Sequence, residues 1–131
     1  MIRLILRRSG FITVEHPLLS LMLRYAPFKA LLHRGLLWKI RIDQCAYGLS
    51  TPRGHLPREI WKKPTYFCVS HGSFDALGKL CPKTHEHERV MGSISLAGRR
   101  RNRSELAGRY PAALCRAFAQ CVRSWLGTSQ Q

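Results

Sequence analysis

Between residues 37 and 43 the chain reads Leu-Trp-Lys-Ile-Arg-Ile-Asp, apolar and polar by turns. A period of two belongs to a strand with one buried face. Two other runs carry a strand signal: residues 11–14, closed by Glu15-His16-Pro17, and residues 65–69. Elsewhere the period lengthens. Residues 2–8 are predicted to be helical, with Gly10 as the break. Residues 18–33 follow a helical pattern that Pro27 splits and Gly35 ends. Ser73 is placed to cap a short helix holding Phe74, Leu77 and Leu80. The clearest helix spans 112–126. There Leu114, Ala117, Phe118, Cys121, Val122 and Trp125 fall on one face, and Gly127 is the expected end. Residues 50–62 and 88–108 are expected as loops.

The order strand, helix, strand, loop, strand, helix predicts an α/β fold with a small, partly parallel sheet. The strands are too few for a complete doubly wound domain. The expected architecture is an incomplete Rossmann-like three-layer sheet with a C-terminal amphipathic helix. At 131 residues the chain fits a single domain, with residues 10–126 as its ordered core.

Charge narrows the function classes. Lys and Arg number 22 against 7 Asp and Glu, a net charge of +15. A field of that sign draws polyanions, either nucleic acid or an anionic membrane face. No stretch approaches the ~18 consecutive apolar residues of a membrane span, so nucleic acid is the expected partner and no membrane is expected. DNA affinity would suggest the nucleus. The candidate phosphate contacts are Arg99, Arg100, Arg101 and Arg103, with Lys62 and Lys63 just before the third strand. There are five Cys and no secretory leader pattern, so reduced thiols or metal ligands are expected rather than disulfides.

The stretch from 68 to 88 reads CVSHGSFDALGKLCPKTHEHE. Zinc takes Cys and His at short paired spacings, usually as four ligands. Cys68, His71, Cys81 and His85 or His87 meet that arithmetic. So does a mixed set of Cys45, Cys81, His85 and His87, with one ligand from elsewhere in the fold. The blander alternative makes Cys45, Cys68 and Cys81 core thiols and the two His surface groups. Glu15 and Asp43 each end a predicted strand, where open α/β sheets bind ligands. For both, the alternative is an ordinary loop or capping acid. The chain has no Gly-rich phosphate loop, no Gly-x-Ser-x-Gly turn and no His-Glu-x-x-His.

Five motifs read together carry a resemblance. They are Val14-Glu15-His16-Pro17, then Asp43-Gln44-Cys45-Ala46-Tyr47-Gly48, then Lys62-Lys63-Pro64-Thr65, then Cys81 with His85-Glu86-His87, and Tyr110-Pro111 with Leu114-Cys115. Over residues 10–120 the chain resembles the C-terminal half of a methyltransferase-like family. Its members are often seen in mobile-element-associated polyproteins of eukaryotic microbes and are similar to cytosine-5 DNA methyltransferases. The resemblance implies that Glu15 would hydrogen-bond a flipped pyrimidine and that Lys62 and Lys63 would lie near DNA. It also favours Cys45, Cys81, His85 and His87 over a zinc set built on Cys68 and His71. The family's S-adenosylmethionine turn and its Pro-Cys nucleophile have no counterpart in these 131 residues. The chain alone is therefore expected to bind no S-adenosylmethionine and to lack independent catalysis, and its partner would be an N-terminal methyltransferase half. Three readings follow. One is a truncated methyltransferase-like domain with residual DNA affinity. The others are a small zinc-stabilised nucleic-acid-binding module and a reading frame with no selected function.

Overall fold

The computed structural model describes residues 2–7 and 10–128. Helix α1 (Ile2–Arg7) precedes strand β1 (Thr13–Pro17); Arg8, in the expected first helix, lies outside the described residues. A 3₁₀ turn and helix α2 (Ala26–His33) follow, with Pro27 in the first turn of α2. Pro27 thus does split the helical pattern, by opening its second half. Strand β2 (Trp38–Asp43) covers the alternating run, and β3 (Pro64–Val69) covers the third strand.

The fold is mixed α/β with a C-terminal helix, but the partly parallel, Rossmann-like sheet is corrected by the topology. The main sheet has the order β1-β3-β2, and β3 pairs antiparallel with both neighbours. Because β1 and β2 both oppose β3, they point the same way, as a strand–helix–strand unit should. β3 inserts between them, so no two parallel strands touch. Burial explains its place: Phe67, Cys68 and Val69 are 6%, 0% and 0% exposed, and a strand covered on both faces belongs in the middle. Strand β2 instead leaves Lys39 and Arg41 exposed and buries Ile40 and Ile42, which suits an edge.

Each face of the sheet carries its own core. Phe67, Val69, Ile40 and Ile42 pack under helix α4 (Ala112–Thr128) and the 3₁₀ turn Gly72–Leu77, meeting Leu114, Cys121, Phe74 and Leu77. On the opposite face Cys68 packs with Ile12, Leu37 and Phe28 of α2. A third cluster gathers Leu49, Trp61, Ile94, Leu106 and Ala107.

Helix α4 uses the expected face, with Leu114 and Cys121 buried and Ala117, Phe118 and Val122 packed beside them. It continues through Gly127 to Thr128, since one helical Gly costs only about 1 kcal/mol. The short turn after β3 is capped by His71, whose Nδ1 accepts from the Ser73 N–H at 3.1 Å, and not by Ser73; Leu80 stays exposed. Residues 88–108 are not only loop. They hold the hairpin β4 (Ser93–Leu96) and β5 (Arg99–Asn102), then the short helix α3 (Arg103–Leu106). Ala97 and Gly98 turn the hairpin at φ 48° and 73°, the left-handed pair that a two-residue hairpin loop needs. Strand β5 reads Arg-Arg-Arg-Asn, so it offers no apolar alternation to recognise. The expected loop 50–62 contains Trp61, which is fully buried.

Candidate metal centre

At the end of β2 the chain turns through a 3₁₀ turn, Gln44–Tyr47, which Gly48 closes at φ 87°. Cys45 sits in this turn and is buried. Cys81, His85 and His87 come from the irregular segment between the Gly72–Leu77 turn and β4. Asp43 joins the two segments. Its backbone N–H donates to the Lys79 carbonyl at 2.9 Å, and its Oδ2 accepts from the Cys81 N–H at 3.0 Å. The far end is tied by the Glu88 N–H to the Ile60 carbonyl, 2.9 Å. Among the described residues, 80–87 makes no backbone-to-backbone hydrogen bond.

The four side chains converge. Their ligand atoms all lie within 4.8 Å of one another. Cys81 Sγ is 3.5 Å from His85 Nε2 and 3.6 Å from His87 Nε2. His87 Nε2 is 3.3 Å from Cys45 Sγ, and the two Nε2 atoms are 3.0 Å apart. Zinc bonds of about 2.3 Å to sulfur and about 2.0–2.1 Å to nitrogen would set tetrahedral S···N neighbours about 3.5 Å apart and N···N neighbours about 3.3 Å apart. Cys45, Cys81, His85 and His87 can therefore hold a metal ion. The Lys83 N–H donates to Cys81 Sγ at 3.3 Å, from a backbone at φ 59°. Such an outer bond orients a thiolate ligand.

The local field is that of a crowded donor set. Burial, then the neighbouring Cys81, pushes the Cys45 thiol up to about 11. Burial, then His85 and Lys62, pushes the His87 imidazole below its ordinary value. A buried Cys45 thiol held back from ionising and a His87 imidazole pushed away from its charged form are what a bound divalent cation would reconcile.

The other sequence candidates lie apart. Cys68 is a buried core thiol facing α2, and His71 is a helix cap, so neither joins the cluster. Arg103 forks onto Glu59 at 2.7 and 2.6 Å, and Arg101 pairs with Glu105. Arg100 donates to Ser93 Oγ at 2.6 Å, and Arg99 is exposed. Lys63 Nζ donates to the Ala107 carbonyl at 3.0 Å, whereas Lys62 is exposed. Glu15 faces α4 in a cavity of about 420 Å³ with Phe67, Tyr110 and Phe118. Its Oε2 accepts from the Tyr110 hydroxyl at 3.1 Å, and its Oε1 is buried with no hydrogen-bond partner. Burial, then the Glu15 charge, pushes the Tyr110 hydroxyl up to about 12. Neither Tyr110 beside Glu15 nor the Lys83 amide is visible as a partner in the sequence, because each contact is made by folding.

Comparison with known proteins finds no match: no family model, no curated protein and no solved structure.

Proposed function

We propose that the chain is a small, zinc-stabilised nucleic-acid-binding module. The observation that carries this reading is the meeting of Cys45, Cys81, His85 and His87 from two segments distant in sequence. Two thiolates and two neutral imidazoles would fill a four-coordinate zinc, leaving no position for water or substrate. The metal's role is therefore structural: it holds 80–87, which lacks backbone pairing of its own, against the end of β2. The net charge of +15 supports a polyanionic partner. Purified protein is expected to carry about one zinc per chain. Cys81→Ser and His87→Ala should each lose it, and a strong chelator should disorder the loop. Full structure without metal, seen by elemental analysis beside circular dichroism and NMR, would sink the reading.

A second reading has one observation in its favour. The Oε1 of Glu15 is buried, unpartnered and set in a cavity with aromatic walls. Under the methyltransferase-like resemblance, that carboxylate would take a base turned out of a duplex. Glu15→Gln should then weaken binding to a duplex with an unpaired cytosine and spare a fully paired one. Equal effects on both would remove this reading.

A further inference from the structure

Resting on the nucleic-acid reading above, we infer that phosphate groups are held in the cleft between residues 48–58 and the first turn of α4, not along the Arg-rich hairpin. The cleft encloses about 720 Å³, and Arg53, His55 and Arg58 of the loop line it together with Arg116 of α4. None of the seven acidic residues lines it. Arg53, Arg58 and Arg116 are exposed, and none of them has a carboxylate partner among the described residues. The run at 99–103 differs, because Arg101 and Arg103 already face Glu105 and Glu59. A guanidinium bound to a carboxylate has little left for a phosphate. An unpaired one keeps its full fork of donors, which matches phosphate oxygens in pairs. Three unpaired guanidiniums around one concavity also focus positive potential there.

The start of α4 adds to the three guanidiniums. Ala112 and Ala113 line the same cleft, and the first turn carries no acidic side chain. The Leu114 and Cys115 N–H groups donate to the Pro111 carbonyl. Those of Ala112 and Ala113 have no acceptor among the described residues. The recognised chemistry is the phosphate oxyanion, and the nucleic-acid backbone is the source that the overall charge favours.

The test uses the full, zinc-loaded chain and a short labelled duplex, followed by fluorescence anisotropy from about 50 to 200 mM salt. Two variants are compared: R53Q/R58Q/R116Q in the cleft, and R99Q/R100Q/R123Q, which removes the same charge outside it. Unchanged zinc content and circular dichroism establish that both are folded. The cleft variant is expected to bind at least about 10-fold more weakly and to lower the salt slope by about three, against a smaller loss in the other. Equal losses would overturn the cleft and leave only diffuse attraction. If wild type binds no duplex even at low salt, the nucleic-acid reading falls by itself. Inorganic pyrophosphate, followed by amide NMR, then decides the cleft. Shifts at Ala112, Ala113 and residues 53–58 that vanish in the cleft variant keep a phosphate site, and no shifts in wild type end it.

Discussion

At Glu59 one carboxylate takes two of the four hydrogen bonds that the Arg103 guanidinium donates and, on Oε2, the Trp61 indole N–H at 3.0 Å. The Arg103 bonds, first of all, hold its carboxyl down to about 2, against an ordinary 4.5. A carboxyl depressed by folding contributes stability above its unfolded value and loses it as pH falls through the folded one. The stability due to this pair should thus be complete above pH 4.5 and fade toward about pH 2. Glu59→Gln should lower stability near neutral pH, since it removes the charge that faces the Arg103 guanidinium and leaves that cation only the Met91 and Ser93 carbonyls and a neutral amide. Urea titrations should show that difference shrinking in acid; a constant difference would mean the pair is not its source. Lys83 invites a second test. At φ 59° a side chain is strained and Gly is not. Lys83→Gly should keep the metal and change stability by less than about 1 kcal/mol, while Lys83→Val should cost about 1–3 kcal/mol. Similar midpoints for the two would count against this backbone geometry.

Two elements set the mechanical character of the fold. Helix α4 lays Leu114 and Cys121 onto the sheet, and Phe118 meets Phe67 and Phe74 at ring-centre distances of 6.1 and 5.4 Å. Leu114→Ala should cost about 2–5 kcal/mol, read from denaturant unfolding, because the cavity it leaves is walled by aromatic rings and cannot easily close. A loss below ~1 kcal/mol would place the helix off the sheet. The metal segment is the opposite case. Without its metal, the path of 80–87 rests, among the described residues, on the Asp43–Cys81 bond, the internal Lys83–Cys81 bond and the side-chain contacts of the Cys/His cluster. Hydrogen exchange after chelation should therefore rise first near the Cys81 and Lys83 amides and spare β3.

Over the whole molecule, a net charge of +15 is spread across a chain with three salt bridges among its described residues. Repulsion between uncompensated cations opposes the folded state, and salt relieves it. Thermal unfolding of the metal-loaded protein should move upward as sodium chloride is raised from about 10 to 150 mM. A downward shift would show that the few ion pairs outweigh the repulsion.

The sequence by itself determined whatever depends on near neighbours. The apolar face of α4, the alternation of β2, the break at Pro27 and the donor types of the Cys/His stretch are all set by residues a few positions apart. The set Cys45, Cys81, His85 and His87 stood among the sequence's candidates, but spacing alone left it level with one using Cys68 and His71. Tertiary structure decided between them, because Cys68 is carried on the central strand into a core and His71 is spent on a cap. It also decided that β3 enters between β1 and β2, which no local period records. The basic residues divide in the same way. Arg103 meets Glu59 across 44 positions, while Arg53, Arg58 and Arg116 are left to line one cleft. Periodicity is written by adjacent side chains, but strand order, ion pairing and ligand convergence are fixed by segments that meet only once the chain has folded.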